Sequence, residues 1–245
     1  GRGDSMSSKV KSNPLQKIFT ASNYLFMLLF VFLCLYPFWY IFIYSISDPR
    51  FVNLGVELLP RGFTLFLYRQ VLAMKGIGHA LFISTARTVI GTLATVFSCS
   101  LMGFLFTKQE MPARKFLYRM LIITMYVSGG LIPYFLLIRS YGLVNNFLVY
   151  IVPGMVSAFN VVLVKTFIEQ LPASLEESAM LDGASYFTVF TRIIFPLSMP
   201  IIATIAVFSA VGQWNSWFDN YLFAGNNIRL RTLQLMLYNI LNEAQ

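Results

Sequence analysis

Few side chains in this sequence belong to the types that carry out catalysis or bind metal ions. The 245 residues include only ten acidic residues, two cysteines and one histidine, His79. There is no Gly-x-x-x-x-Gly-Lys-[Ser/Thr] phosphate loop, no His–Glu metal cluster and no Ser/His/Asp set. Cys34 and Cys99 lie in apolar stretches without metal-ligand spacing, which indicates packed thiols. We therefore expect a non-catalytic chain with no metal, nucleotide or cofactor of its own.

Several of the acidic residues gather in one short stretch, residues 172–185, whose spacing predicts a helical hairpin. Pro172 prevents the preceding segment from continuing as a helix. Ser174 is followed three residues later by Glu177, which is the spacing of a capping box and predicts that a new helix begins there. Gly183 suits the left-handed turn that ends such a helix.

The second arm of the hairpin is predicted over residues 186–195, with Ser185 as its cap. Leu175, Ala179 and Leu181 place small and apolar surface among the carboxylates of the first arm. A projecting helix with an apolar side and an acidic start is suited to a groove on another protein. An interfacial helix without any partner is the alternative that its shape leaves open.

The elements around this hairpin are predicted to be membrane helices. Hydrophobic residues make up 57% of the chain and charged residues 11%, and apolar stretches of about 20 residues match the length of a bilayer-spanning helix. We predict an all-α polytopic bundle, a single membrane domain over residues 9–245, and interpret residues 1–8 as a tag remnant and flexible start. Five spans are predicted, at residues 24–46, 81–106, 116–138, 147–168 and 197–222.

Basic residues flank these spans mainly on one side. They precede the first span, crowd the short loop after the second, and border the loop after the fourth at Lys165 and Arg192. The positive-inside rule then makes this side cytoplasmic, together with the N-terminus and the hairpin loop, about residues 169–197. The net charge of +8 is explained by this topology and by anionic lipid, so nucleic acid is not an expected partner.

The hairpin also resembles a known signature. Glu177-Ser178-Ala179, then Asp182-Gly183-Ala184, then Ile-Ile-Phe-Pro at 193–196 resemble the EAA motif of ABC importer permeases, with Ser178 and Phe195 as mild departures. This resemblance implies the MetI-like permease fold of six spans, of which five are visible here. It also implies that the first arm is the coupling helix that sits on a separate ATP-hydrolysing subunit. The residues that would make this contact are Ser174, Glu176, Glu177, Ala179, Asp182, Gly183 and Ala184.

Three further segments resemble the LplC/YtcP branch of the MalG-like carbohydrate permeases. They are residues 128–133 (Ser-Gly-Gly-Leu-Ile-Pro), 142–146 (Gly-Leu-Val-Asn-Asn) and 212–218 (Gly-Gln-Trp-Asn-Ser-Trp-Phe). The branch implies uptake of oligosaccharides, including acidic fragments of pectin- and alginate-like polymers. It also implies a bacterial cytoplasmic membrane location, a homologous second permease, two ATP-binding subunits that hold ATP and Mg²⁺, and an extracytoplasmic solute-binding lipoprotein.

Polar and aromatic residues inside spans mark a candidate sugar path, because they are costly unless they face a cavity or the bundle. Flat aromatic faces suit sugar C–H surfaces and amides suit hydroxyls, although Trp at a membrane interface is common without a ligand. Arg87 could either extend to the interface or meet an anionic sugar. The candidates are Tyr134, Asn160, Gln213, Trp214, Asn215, Trp217 and Arg87.

Two alternatives remain open at this point. An ABC permease for another solute would share the coupling motif, which does not itself specify the cargo. A polytopic membrane enzyme would require catalytic groups facing a cavity, and the sequence offers no such set. Co-purification with an ATPase would separate the permeases from the enzyme.

Overall fold

A computed structural model of the protein describes residues 14–50 and 59–243, and these residues form helices and no strand. The α-helices, in chain order, are α1 Pro14–Ser45, α2 Phe66–Ala73, α3 Ile77–Leu105, α4 Arg114–Ile123, α5 Leu131–Ser140, α6 Ala158–Ile168, α7 Ser174–Leu181, α8 Tyr186–Val189, α9 Phe195–Leu197, α10 Met199–Asn215, α11 Phe218–Ala224 and α12 Leu233–Glu243. Two 3₁₀ turns, Phe147–Tyr150 and Ile228–Leu230, and one π-helical segment, Phe190–Ile194, complete the order.

The chain divides into two compact units, of which the first is Gly1–Met74. Its long helix α1 is continuous through Pro37 and exposes nearly all of its apolar side chains. The backbone after α1 turns back on itself, because Thr64 N–H donates to the Ile46 carbonyl at 2.9 Å. The Thr64 hydroxyl accepts from Phe66 N–H at 3.2 Å just before α2, and Leu65 occupies the cap position of that helix.

The second unit, Lys75–Gln245, is built around α3, which packs against α10 and α6. Its core is apolar because these helices bring together branched and aromatic side chains; members include Val96, Cys99, Phe104, Val161, Val164, Val189, Phe190, Ile194 and Ile205. Gly103 lets α3 approach α6 closely, since a Cβ atom there would lie only 2.7 Å from Val164 Cγ1. Cys99 is fully buried in this core as a free thiol, and Cys34 is a free thiol on α1.

Fewer continuous spans are present than the sequence predicted. Two helices of the described part are long and apolar enough to cross a membrane, residues 15–45 and α3. A third span is possible if residues 186–197 and α10, which meet at a bend of 82°, count as one.

The other predicted spans are interrupted at glycine, proline and serine residues, whose effect on helix continuity is not part of a hydropathy average. The third, 116–138, divides into α4 and α5 around Gly130, which adopts a φ of 83°. The fourth, 147–168, begins with a 3₁₀ turn and becomes an α-helix only at Ala158, after Pro153 and Gly154. The fifth, 197–222, breaks at Ser216, whose ψ of 125° is extended.

Candidate functional site

The hairpin predicted between Pro172 and Ser185 is present, but its first helix does not begin as predicted. Ala173, with φ −60° and ψ −28°, is already helical and precedes α7, so Ser174 is the first residue of the helix and caps nothing. Glu177 N–H donates to the Ala173 carbonyl at 3.1 Å instead of to the Ser174 hydroxyl. The predicted capping box is therefore wrong, because the chain enters α7 in helical conformation and the side-chain cap is not needed.

The turn of the hairpin matches the prediction. Gly183 has a φ of 85°, in the left-handed region where a side chain would be strained. Ala184 N–H donates to the Ala179 carbonyl and Gly183 N–H to the Met180 carbonyl, both at 3.0 Å, which is a Schellman motif. Ser185 then caps α8, since its hydroxyl accepts from Thr188 N–H at 3.3 Å.

The predicted contact residues of the hairpin fall into two groups. The first group, Ser174, Glu177, Asp182 and Gly183, is exposed, and Leu181 beside it is 89% exposed. In the second group, Ala179 and Ala184 are partly buried against the apolar core, and the carboxylate of Glu176 is paired with the ammonium of Lys108. The second group therefore anchors the hairpin to its own chain, so the outward surface is narrower than predicted.

A cavity of about 430 Å³ lies between α3, α6, α10 and α11. Most of the residues that line it carry polar side chains, with serine, threonine, amide and tyrosine groups beside several apolar residues. Lining residues include Arg87, Thr95, Tyr134, Tyr150, Ser157, Asn160, Ser209, Gln213, Ser216 and Asp219. The dimensions and the hydroxyl and amide groups suit a small polar solute.

Arg87 makes the densest set of polar contacts on this wall. Its side chain is 2% exposed, and Nη2 lies 2.5 Å from Asp219 Oδ2. Nη1 donates to the Ser216 carbonyl at 3.2 Å, and Nε and Nη2 donate to Gln213 Oε1 at 3.2 and 3.1 Å. The guanidinium also lies 4.5 Å from the ring centroid of Tyr150. The expected extension of Arg87 to the interface is wrong, because the side chain is buried against Asp219; contact with an anionic sugar stays a prediction.

Gln213 joins three elements around this ion pair. While Oε1 accepts from Arg87, Nε2 donates to the Tyr150 carbonyl at 3.1 Å. Gly91 leaves room for this side chain, because a Cβ atom at that position would lie 2.7 Å from Gln213 Cδ. Gly91 on α3 is thus needed for the amide bridge between α10 and the 3₁₀ turn at 147–150.

A second polar network, which shares Tyr150 with the first, connects α11, α12 and α3. Asn220 is fully buried and donates to the Tyr150 hydroxyl and to the Leu230 carbonyl, the latter at 3.0 Å. Its Oδ1 accepts from Thr232 N–H at 3.2 Å. Ser84 Oγ accepts from Leu233 N–H at 2.9 Å, which ties α12 to α3. Because these buried groups are satisfied, the network fixes α11 and α12 relative to α3.

Four of the seven predicted path residues line the cavity, namely Arg87, Tyr134, Asn160 and Gln213. The other three, Trp214, Asn215 and Trp217, do not. Trp217 stacks on Tyr238 at 4.0 Å between ring centroids, and Asn215 Oδ1 accepts from Gln234 at 3.4 Å. Trp214 and Asn215 follow Gln213 by one and two positions on α10, so they point to other sides of the helix, and Trp217 lies beyond the break after Asn215.

The wall residues that the sequence reasoning missed include two neighbours of Arg87, Asp219 and Tyr150. A signal for Asp219 did exist, since it is an acidic residue in one apolar stretch while Arg87 is a basic residue in another, and ionisable residues within spans usually pair. Tyr150 carried no such signal. His79, the one histidine, is exposed, lies with Nε2 2.8 Å from the Arg229 carbonyl and is not part of the cavity wall.

Comparisons with known proteins find membrane transport proteins. A family described as "Binding-protein-dependent transport system inner membrane component" matches residues 99–245. The polygalacturonan/rhamnogalacturonan transport system permease protein YtcP of Bacillus subtilis is 34% identical over 91% of this chain and 78% of its own length. Protein LplC of the same organism is 34% identical over 91% of this chain and 76% of its own.

A solved structure extends this similarity to three dimensions. It is the crystal structure of a bacterial ABC transporter involved in the import of the acidic polysaccharide alginate. One chain of that structure is 28% identical and superposes with a TM-score of 0.84, covering 93% of this chain and 81% of that one.

Proposed function

Since this chain belongs to the family of binding-protein-dependent transport system inner membrane components, we propose that it is a permease subunit of an ATP-driven importer of oligosaccharides. It is a non-catalytic subunit, as its permease relatives are, and ATP is hydrolysed on a separate chain. In this proposal the hairpin receives the movement of the ATPase, and the cavity is the path along which the sugar passes.

The observation that carries the coupling role is the exposure of Leu181 at the tip of a rigid hairpin. Its 89% exposure contrasts with the buried inner face of the same hairpin. Exposed apolar side chains on a preorganised helix are typical of a docking surface, and here Glu177 and Asp182 supply charge beside Leu181. These outward residues, with Ser174 and Gly183, form the proposed contact with the ATPase. Glu176, Ala179 and Ala184 support it from behind.

The cavity is the proposed sugar path of this subunit. Asn160, Ser157, Ser209 and the Tyr134 hydroxyl supply hydrogen-bonding groups suited to sugar hydroxyls. Acidic oligosaccharides are the favoured class, because YtcP is a polygalacturonan/rhamnogalacturonan permease and the structural relative takes part in alginate import. Arg87 is paired with Asp219, so we expect a free cation for a uronate group to come from another chain.

The proposed assembly contains a homologous second permease, two ATP-binding subunits and an extracytoplasmic solute-binding lipoprotein, in a bacterial cytoplasmic membrane. Lipid or the partner permease covers the exposed apolar residues of α1 and α4 in the proposed assembly. The proposed orientation, with the N-terminus and the hairpin in the cytoplasm, agrees with the basic residues around the hairpin, Lys108, Lys165 and Arg192.

Co-purification tests the coupling proposal. The assembled transporter with Leu181→Asp should retain its ATPase about tenfold less well or worse, because a charge replaces the central apolar contact. Ile228→Asp is the matched control, since Ile228 is also an exposed apolar residue but lies outside the hairpin. Equal retention of the ATPase by the two variants would contradict the proposal.

Uptake into proteoliposomes tests the cargo. Trigalacturonate serves as the acidic probe and maltotriose as the neutral one, with the whole transporter and its binding protein present. We expect ATP-dependent uptake of trigalacturonate. Uptake of maltotriose alone would overturn the acidic class and keep the sugar permease. Uptake of neither sugar by a transporter that hydrolyses ATP would overturn the sugar assignment.

A further inference from the structure

The loop that follows α3 holds the hairpin by an ion pair. Lys108 Nζ donates to the Glu176 carboxylate, and the two side chains are only 12% and 20% exposed. The same ammonium lies 4.2 Å from the ring centroid of Phe104, the penultimate residue of α3. A pair so shielded from water is screened much less by salt than a surface pair.

Apolar packing at the same place strengthens this attachment. The rings of Phe104 and Phe190 lie 5.4 Å apart between centroids, and both side chains are almost completely buried. Phe190 lies in the second arm of the hairpin, directly after α8. Ala179 and Met180 of the first arm pack against the same core. Both arms of the hairpin are therefore fixed to the end of α3.

The loop itself is held in place by Arg114. Its Nη1 donates to the carbonyls of Phe106 and Thr107 at 3.4 and 3.2 Å. The ring of Phe106 is buried and contacts Tyr118 of α4 edge-on, with 5.4 Å between centroids. Lys108 thus extends from an ordered loop, so its ammonium is directed to Glu176 with little freedom to move.

Helix α3 connects this attachment to the cavity without interruption. It is one continuous helix of 29 residues, whereas α4 and α5, and α10 and α11, are separated by breaks. Arg87 lies on α3, 18 residues before its end at Leu105, which is about 27 Å along a helix that rises 1.5 Å per residue. One rigid element therefore carries the hairpin contact at one end and the cavity wall near the other.

We infer that Lys108 is a positioning residue that fixes the hairpin to α3, and that α3 is the element through which displacement of the hairpin reaches the cavity. The inference rests on the proposed function, because it assumes that the hairpin receives motion from an ATPase. It adds the route by which this motion leaves the hairpin. When the hairpin is displaced, the ion pair can pull α3 with it only while Lys108 and Glu176 stay in contact. Their charges must therefore be opposite.

The test uses the whole transporter in proteoliposomes and a reporter thiol in the cavity. Ser209 lines the cavity, so Ser209→Cys is combined with Cys34→Ser and Cys99→Ala, and its rate of modification by a small methanethiosulfonate is measured. The rate is compared without nucleotide and with ATP and vanadate. We expect the transporter with Lys108 intact to show a nucleotide-dependent change of about fivefold or more, which is the range of coupling between sites.

Exchanging the charges of Lys108 and Glu176 tests whether Lys108 positions the hairpin through its ion pair or only stabilises the fold. Lys108→Glu and Glu176→Lys should each abolish most of the nucleotide-dependent change, and the double variant should restore it because the pair is reformed with reversed signs. Lys115→Glu is the control, since it makes the same charge change at an exposed lysine nearby. Lys108→Met, which keeps the stem and removes the charge, replaces Lys108→Glu if that variant fails to assemble.

The outcomes separate the inference from the function on which it rests. If the ATPase does not bind the transporter with Lys108 intact, the coupling function fails. If it binds and hydrolyses ATP but the cavity thiol does not respond, or if Lys108→Met and Glu176→Lys respond fully, the function stands and the route through α3 is overturned. A double variant that responds no better than the single ones would also overturn the role of the ion pair.

Discussion

At the scale of single residues, the cavity wall depends on charges that compensate one another. Arg87 is buried among Asp219, Gln213 and Tyr150 and has no exposed route to the interface. Removing one partner of such a pair leaves an uncompensated charge, which costs more free energy than the pair itself contributes. Removing one charge of the pair should therefore destabilise the wall.

Asp219→Asn should lower the free energy of unfolding by about 2–3 kcal/mol, since Asp219 is a quarter exposed and the full cost of a buried unpaired charge is not reached. Thermal unfolding of the purified transporter in detergent measures this change. Asp182→Asn, at an exposed position on the hairpin, is the control and should leave the midpoint unaltered. Equal midpoints for the two variants would show that the Arg87 pair contributes nothing to stability.

Gly91→Ala should lower stability by about 1–3 kcal/mol, because its methyl group would lie 2.7 Å from Gln213 Cδ and displace the amide from Arg87 and Tyr150. Gly212→Ala is the matched control, since a Cβ atom there meets nothing within 4 Å. Thermal unfolding again gives the measurement, and an unchanged midpoint for Gly91→Ala would contradict the role given to Gln213.

At the scale of elements, the hairpin shows what local sequence could predict. Gly183 and Ser185 act within a few residues of their own position, so their turn and cap followed from residue type. The predicted capping box at Ser174 failed because the preceding residue was already helical, which depends on how the chain leaves α6. Ala179 and Glu176 turned inward for a similar reason, since their partners come from α3 and the loop after it.

Gly183→Val should weaken coupling while the bundle stays folded, because a β-branched side chain at a φ of 85° is strained by about 1–3 kcal/mol and would open the turn. Glu177→Lys should act in the same direction by reversing an exposed charge. ATP hydrolysed per molecule of sugar imported is the measurement, with thermal unfolding as the check on folding. Normal import ratios in both variants would contradict the coupling role of the hairpin.

The predicted spans show what the sequence could not predict. Hydropathy averaged over about 20 residues predicted continuous helices where Gly130 and the Pro153-Gly154 pair interrupt them. The break after Asn215 separated Gln213, which lines the cavity, from Trp217, which stacks on Tyr238. Where a helix breaks, and which side of it each residue occupies, therefore decided which predicted path residues line the cavity, and hydropathy averaged over a window contains neither.

At the scale of the whole molecule, the predicted all-α permease bundle is confirmed by the helical structure, by the family match and by its similarity to a chain of a solved ABC transporter involved in alginate import. The membership of the chain in a permease family is likewise confirmed. The pairing of Lys108 with Glu176 required the fold, and the pairing of Arg87 with Asp219 had only the general signal that ionisable residues within spans usually pair.

A second permease should cover the cavity on its open side. Phe208 lines the cavity and is still half exposed, so it is a suitable site for a probe. Phe208→Cys in the assembled transporter should react through a short bismaleimide with a cysteine on the partner permease. Phe97→Cys, equally exposed on α3 but outside the cavity wall, is the control. Cross-linking at neither or at both positions would contradict this arrangement.

The separation of Arg87 from Asp219 has a consequence for how the protein is made. The two residues lie 132 positions apart, so at typical synthesis rates roughly 10 s pass between their emergence from the ribosome. During that interval α3 enters the bilayer with an uncompensated cation ten residues from its start, at a cost below the value of about 2.5–3.5 kcal/mol that applies at the centre of a helix. Helix α3 can therefore settle fully only after α11 has been inserted, which makes the completion of this half of the bundle a late event in biogenesis.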